Sequence, residues 1–329
     1  MKIAIVILNW NGKKLLEQFL PSVVANTPKG AIYVADNAST DDSINYVTQY
    51  YPTVNIIQND SNGGYAKGYN DALEQVDADI LCLLNNDVEV TEGWIEPIIK
   101  IFQNEPNTAI LQPKILDYTR RDYFEYAGAA GGFIDKFGYP YCRGRIFETL
   151  EKDDGQYNDE TSIFWASGAC FFVRKSIFNA LNGFDSTFFA HMEEIDFCWR
   201  AKNMGCEVKY TYKSVVYHLG GGTLNNQNPK KTFLNFRNSL LALFKNANGN
   251  LWAIVCLRLI LDGLAGMMFL TKLRPHHTLA IIKAHLSFYG RLPFVLNQRK
   301  SQKSKIKYYK IVSIVKSYFM NNKRTFTNL

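Results

Sequence analysis

Within residues 1–104 a short, mostly apolar run is followed by an amphipathic stretch of helix length, and the pair repeats four times. The runs are 3–8, 31–35, 54–58 and 80–84. They are too short for helices and read as strands. The stretches after them are 13–26, 41–50, 65–76 and 94–104, and in the first of these Leu15, Leu16, Phe19, Leu20, Val23 and Val24 recur at helical spacing. Alternation of this kind requires a crossover between successive strands, hence a mostly parallel sheet. Near-continuous apolar strands fit a sheet covered by helices on both faces. The expected class is therefore α/β and doubly wound. Beyond residue 104 the pattern is less regular. Residues 105–160 read as hairpins with a mobile loop around 148–160, and order returns at 164–173. A short helix at 175–181, a strong helix at 193–204 and short strands at 208–210 and 215–218 follow.

Ligands of such sheets bind beyond the carboxyl ends of the strands. Polar residues fall there. Asn9 and Asn11 follow the first strand, Asp36 and Asn37 the second, Asn62-Gly63-Gly64 the third, and Asn85-Asn86-Asp87 the fourth. Asp36 could accept bonds from a base or a ribose hydroxyl, or act as a turn residue that caps the next helix. Gly63 and Gly64 would let the backbone approach a phosphate at a helix start, or form a plain turn. Asp87 offers one hard carboxylate to a divalent cation whose other ligands would be phosphate oxygens; a cap or turn is the alternative. Asn9-Trp10-Asn11-Gly12 stands where a dinucleotide fold has its Gly-x-Gly-x-x-Gly loop, which argues against a dehydrogenase.

Glu193, Glu194 and Asp196 put three carboxylates at one helix start, where the macrodipole favours acids. One of them could be a general base. Glu194 and Asp196 are two apart and cannot share a helix face. Arg200, four residues after Asp196, can pair with it, which suggests structural roles for Asp196 and Arg200. His218 precedes Gly220-Gly221-Gly222-Thr223, a loop that would let it approach a metal or phosphate. A structural histidine is the other reading.

Over residues 3–223, in one order, stand Ile7 to Asn11, Asp36 to Asp41, Asn62 to Asn70, Asn85 to Asp87, Trp165 to Cys170, Gly183 to Asp185, Glu193 to Arg200 and His218 to Gly221. This series resembles the family 2 inverting glycosyltransferases of GT-A fold, and among them the bacterial rhamnosyltransferase-like group of cell-surface polysaccharide synthesis. The resemblance implies a nucleotide-sugar donor held by Asn9, Asp36, Asn62, Gly63, Gly64, Asn85 and Asn86. It implies Mg2+ or Mn2+ at Asp87, the last acidic position of the family's Asp-x-Asp motif, with His218 as a further metal ligand. Asn85 replaces that motif's first Asp. The family's Glu-Asp base motif reads Glu193-Glu194, so the base falls on Glu194, one methylene longer than the usual Asp. Trp165, Ser167, Gly168 and Glu193 would shape the acceptor and sugar pocket. The implied reaction is a single in-line displacement onto a hydroxyl of a glycan or lipid-linked acceptor, with rhamnose from its thymidine diphosphate donor as the first expectation.

Charge divides the chain. Residues 1–262 carry 24 basic and 30 acidic side chains, a balance of −6, whereas 263–329 carry 13 basic and none acidic. A catalytic domain over 1–225 and a helical, basic region over 226–329 are expected. The basic region calls for an anionic partner. A membrane surface fits better than nucleic acid, for which no recognition motif is present. Residues 251–270 are apolar but contain Arg258 and Asp262, each costing about 2.5–3.5 kcal/mol at a bilayer centre. An interfacial helix is favoured over a spanning one, with further basic helices at 278–289 and 305–319. The expected location is peripheral, at the cytoplasmic face of the plasma (inner) membrane. Six cysteines without a Cys-x-x-Cys pair suit a reduced setting and argue against a zinc knuckle. Two rivals stay open: an inactive sugar-nucleotide binding protein and a sugar nucleotidylyltransferase. The latter should carry a Gly-rich, Arg-containing loop after the first strand.

Overall fold

Ile3, Ile5 and Ile7 bury against Leu16 and Leu20, while Ala4 and Val6 bury on the opposite side with Tyr69 and Leu73. Successive strand residues point to opposite faces, so the first strand has an apolar layer on each side, as its unbroken run requires. The computed structural model describes residues 1–28, 30–220, 228–300 and 306–329. Its strands are β1 (Ile3–Asn9), β2 (Ile32–Asp36), β3 (Asn55–Gln58), β4 (Ile80–Asn85), β5 (Val88–Val90), β6 (Thr108–Asp117), β7 (Gly132–Ile134), β8 (Pro140–Cys142), β9 (Arg145–Ile146), β10 (Thr149–Leu150), β11 (Glu160–Ser162), β12 (Cys170–Arg174) and β13 (Glu207–His218). Its α-helices are α1 (Lys13–Ala25), α2 (Ser43–Tyr50), α3 (Gly64–Leu73), α4 (Glu96–Asn104), α5 (Lys175–Ala180), α6 (Glu193–Asn203), α7 (Pro229–Asn246), α8 (Leu251–Thr271), α9 (Pro275–Gly290) and α10 (Leu292–Lys300).

The main sheet runs β11-β13-β6-β12-β4-β1-β2-β3, with β5 paired to β13. The α/β class holds. The half formed by β3, β2, β1 and β4 is parallel throughout. Beyond β4 the sheet is mixed, because β12 runs antiparallel to both β4 and β6. β6 and β13 are parallel to each other. Two reversals restore direction, so β13 ends at the same edge as β1, β2 and β4. This brings His218 to the edge where Asn9, Asp36 and Asn85 lie.

Three elements depart from the sequence pattern. β6 is a central, buried strand inside the segment read as hairpins. Gln112, Pro113 and Lys114 interrupt its apolar run, and each has a local solution. The Gln112 amide bonds Gly128 O and Ser167 N, Lys114 pairs with Asp153 at 2.5 Å, and Pro113 sits where the β6–β13 register shifts. The hairpins themselves are there, as the small sheet β10-β9-β8-β7. The 148–160 loop is held by Lys114–Asp153 and by Arg143–Asp159 at 2.7 Å. The strands expected at 208–210 and 215–218 are one strand, β13. At 305–319 the expected helix is replaced by an extended segment and a short helical turn at Lys316–Met320; residue 305 lies outside the described residues. This segment is tied to the turn after β7 and to α6: Ile314 N–H donates to the Asp135 carboxylate and Lys136 N–H to Ile311 O, and Tyr308 packs on Trp199 with centroids 4.7 Å apart. The expected domain boundary at 225/226 also falls outside the described residues.

α8 has its polarity inverted. Its buried face carries Arg258 and Asp262, whereas Trp252, Leu257, Ile260, Leu264 and Met267 are half exposed or more. Arg258 donates to Asp262 at 2.9 Å, to Phe137 O and to Ser239 Oγ. Tyr139 and His285 also bond Asp262. Removing one member of a buried ion pair typically costs 3–5 kcal/mol, because the other charge is stranded. Asp262→Ala should therefore lose stability on that scale in denaturant unfolding. Arg258→Met/Asp262→Ala should recover much of the loss.

Candidate active site

The β4–β5 hairpin carries Asp87 sideways. β4 belongs to the parallel half, but β5 pairs with β13 so that Val88 stands opposite His218. Asp87 Oδ1 then lies 3.0 Å from His218 Nε2, and Glu125 Oε1 lies 3.2 Å from Nδ1. Burial opposes a charged His218, but the two carboxylates outweigh it and raise its pKa well above the ordinary value. Burial likewise opposes charge on Asp87, and His218 outweighs it, so Asp87 is held below the usual carboxylate range. Asn85 Nδ2 is 3.5 Å from His218 Nε2. Glu125 was not legible in the sequence, since Phe124-Glu125-Tyr126 matches no motif.

The donor set suits a hard cation in part. The 3.0 Å separation of Asp87 and His218 is about the edge of an octahedron with ~2.1 Å bonds, and a cation held by both would take the place of the proton on His218 Nε2. Glu125 stands behind the histidine, where an orienting carboxylate belongs. No group of three or more His, Cys, Asp or Glu side chains among the described residues forms a cation cage. The other ligands must come from phosphate or water. Gly221, Gly222 and Thr223 of the glycine-rich loop lie outside the described residues.

The first two strand ends are tied together. Asp36 accepts from Asn9 Nδ2 at 3.2 Å and from both the backbone and hydroxyl of Ser39. Asn86 donates to Asn9 Oδ1 at 3.0 Å. Gly12 fits beneath them because a Cβ there would stand 2.3 Å from Asn9 Oδ1. Asp36 thus anchors its own turn, with Ser39 serving it through both its backbone N–H and its hydroxyl. At the third strand end Asn62 Oδ1 accepts from Gly64 N–H and from Asn37. The helix start after it is not open to phosphate: Tyr65 N–H, at 2.8 Å, and Ala66 N–H both donate to Phe189 O. Gly64, at φ +78°, fits because a Cβ would stand 2.4 Å from that same carbonyl.

Phe189 leads into the carboxylate helix. It has φ 64° and ψ −60°, and Ala190 N–H donates to Phe188 O at 2.8 Å, which makes a γ-turn of the rare positive-φ kind. His191 and Met192 also have positive φ, at 68° and 74°. α7, absent from the sequence reading, holds this turn. Asn238 Nδ2 contacts the carbonyls of Phe188, Ala190 and His191, and Arg237 those of Thr187 and Phe188. The start of α7 was legible: Asn228-Pro229 is an N-cap followed by a first-turn proline.

Glu193 and Glu194 open α6, and one carboxylate oxygen of each is buried without a partner. Burial, then Glu194, push Glu193 well above the usual carboxyl range. Burial raises Glu194 to about 7, against backbone N–H groups at the helix start that favour its charge. Asp196 faces away from the crevice. It accepts from Arg200 at 2.8 Å, Lys245 at 3.1 Å and Asn246 at 2.7 Å. Ser167 is buried, taking Ala169 N–H at its hydroxyl, and Tyr65 Oη donates to Gly168 O at 2.8 Å, beside the Glu193–Glu194 pair. Trp165 stands apart from the expected pocket. Its ring covers Gly132 and its indole N–H donates to Phe133 O, so it belongs to the core.

The mixed α/β sheet gathers an Asp–His pair at its strand ends and faces it with a desolvated carboxylate pair at the start of α6, and its fold is that of the GT-A structures described below. Residues 4–181 match the family model described as Glycosyl transferase family 2, and the chain belongs to that family. The N-acetylglucosaminyl-diphospho-decaprenol L-rhamnosyltransferase of Mycobacterium tuberculosis is 28% identical over 222 residues, covering 62% of this chain and 71% of the relative. Rhamnosyltransferase WbbL of Escherichia coli is 24% identical over 215 residues, covering 63% and 79%. Among solved structures, mannosyltransferase PcManGT from Pyrobaculum calidifontis, in complex with GDP-Man and Mn2+, aligns with TM-score 0.54 and 10% identity over 88% of this chain and 87% of its own. GalNAc-T7 with UDP, GalNAc and Mn2+ aligns with TM-score 0.58 and 14% identity over 75% of this chain and 48% of its own. The family and these relatives support sugar transfer in glycan synthesis.

Glu194 predicts a measurable stability effect. Its folded pKa, about 7, lies above the ordinary 4.5. Folding therefore disfavours its ionised form, and the penalty grows from pH 4.5 to about 7 and stays constant above. Glu194→Gln should raise stability above pH 7 by about 3 kcal/mol. Thermal melts should show the difference shrinking towards pH 4.5.

Proposed function

We propose that the chain is an inverting transferase that moves a sugar from a nucleoside-diphosphate donor to a hydroxyl of a lipid-linked or glycan acceptor. Rhamnose is the first sugar to test, because two of the relatives are rhamnosyltransferases. The observation that carries this reading is Glu194, a carboxyl raised to about 7 in a buried setting at the start of α6. A base is most effective when its pKa lies near the working pH. Glu193, whose carboxyl burial also pushes well above the usual range, can donate a hydrogen bond to a sugar or acceptor hydroxyl in its protonated form.

In this mechanism the Glu194 carboxylate takes the acceptor hydroxyl's proton as that oxygen attacks the anomeric carbon. The bond from that carbon to the diphosphate oxygen breaks, and the configuration inverts. Asn9, Asp36, Asn62 and Asn86 line the nucleotide side. Asp87 and His218 would hold Mg2+ or Mn2+, as the Mn2+ complexes of the structural neighbours suggest. Held there, such a cation would supply positive charge to the departing diphosphate. Glu194→Gln should reduce transfer at least 1000-fold while leaving donor affinity within a few-fold. Wild-type kcat should rise with pH through about 7, as Glu194 loses its proton. Substantial transfer by the variant sinks this assignment. Donor binding without turnover by the wild type would favour the inactive binding protein.

The acceptor chemistry draws the C-terminal region to a membrane, at its cytoplasmic face and peripherally. α8 is long and apolar enough to cross a bilayer by length and composition. Its inward face is docked through Arg258 and Asp262, which supports an interfacial position with the apolar face in lipid. Exposed Lys272, Arg274, Lys283 and Arg291 flank that face and match anionic headgroups. Leu257→Ser/Ile260→Ser/Leu264→Ser should release the protein from anionic vesicles in flotation without lowering its melting temperature. Unchanged flotation would count against the anchor.

A further inference from the structure

Arg145, on β9, is only 8% exposed and has no carboxylate partner among the described residues. Arg143, two residues earlier, pairs with both oxygens of Asp159 at 2.7 Å. Among the described residues the Arg145 Nε has no acceptor, and Nη2 has only the Cys142 sulfur, at 3.4 Å. The guanidinium lies over the Tyr126 ring, 4.5 Å from its centroid. Glu125 is close enough to be felt electrostatically. Yet Glu125 directs one oxygen at His218 and accepts Ala127 N–H with the other. A buried cation without a counter-ion is costly, and such a group is retained where a ligand brings the anion.

Its surroundings say which ligand. Arg145 stacks on Tyr126, the residue next to Glu125, and the Glu125 carboxylate lies 3.2 Å from His218 Nδ1, which joins the guanidinium to the Asp87–His218 side of the crevice. Glu125 reaches the Asp87–His218 pair, and Glu194 is the proposed base. An anion that meets Arg145 is thus within reach of the transfer chemistry. A planar guanidinium fork, already fixed by stacking, suits two phosphate oxygens at once.

We infer that Arg145 binds a phosphate group of a substrate: either the donor's diphosphate or the phosphate that joins a lipid-linked acceptor to its lipid. Naming these as substrates rests on the transferase reading, whereas the anion site does not. The test uses the full chain with Arg145→Gln and Arg145→Lys, and inorganic pyrophosphate as the first probe in calorimetry. Arg145→Gln should weaken pyrophosphate binding tenfold or more, and Arg145→Lys should recover part of it. If the donor is the source, nucleoside diphosphate affinity and donor KM change by the same factor with any acceptor. If the acceptor is the source, KM rises tenfold for a lipid-diphosphate sugar, while a neutral alkyl glycoside of the same sugar and nucleoside diphosphate binding are unaffected. Unchanged pyrophosphate binding and unchanged KM values in folded Arg145→Gln overturn the inference. Should neither variant fold, the Arg145 Nε–H resonance of the unsubstituted protein decides: a shift with pyrophosphate supports the site, and no shift overturns it. Loss of the base assignment through an active Glu194→Gln would leave the pyrophosphate result standing.

Discussion

The carbonyl oxygen of Phe189 accepts the first free N–H groups of α3, and the residue that bears it begins the turn into α6. The third strand end and the carboxylate pair are therefore fixed to each other through one peptide group. The turn is strained: three residues with side chains have positive φ, at about 1–2 kcal/mol each. The two N–H bonds of Asn238 Nδ2 and the two of Arg237 Nη2 make up to four hydrogen bonds that oppose that strain, at about 1 kcal/mol each. The two are of similar size. α7 thus maintains the geometry of the crevice although it contributes no group to the chemistry described.

The same turn sets the electrostatics. It delivers Glu193 and Glu194 into a place without protein partners, and their pKa values rise from burial. One turn of helix further, Asp196 has three donors. Glu194 and Asp196, two residues apart, thus have different environments, because two residues turn a helix by about 200°. On the opposite wall, Asp87 and His218 stabilise each other's charge, so the crevice joins a charged pair to a desolvated one.

The parallel half was readable because each of its strands is an uninterrupted apolar run next to a helix, a pattern of purely local origin. The strand-end residues Asn9, Asp36 and Asp87 were readable for the same reason. β6 was not, because Gln112, Pro113 and Lys114 look like a loop until their distant partners Gly128, Ser167 and Asp153 are known. Glu125 and Arg145 are invisible on similar grounds: a lone Glu between aromatics and a lone Arg after glycine have no periodicity. Trp165 misled because a motif position was taken for a pocket wall, whereas Gly132 opens just the space in the core that an indole fills. Arg258 and Asp262 looked like obstacles to lipid contact while the partner of that helix face was unknown.

Those two residues also have a mechanical side. Asp262 is bonded at once by Arg258 of its own helix, by His285 of α9 and by Tyr139 next to β8. Arg258 adds Phe137 O, at the turn that joins β7 to β8. A helix clamped at mid-length from three directions cannot roll or slide without pulling the small sheet with it. Whatever surface receives the outer side of α8, the mouth of the crevice keeps one tilt towards that surface. A single carboxylate acts as the protractor.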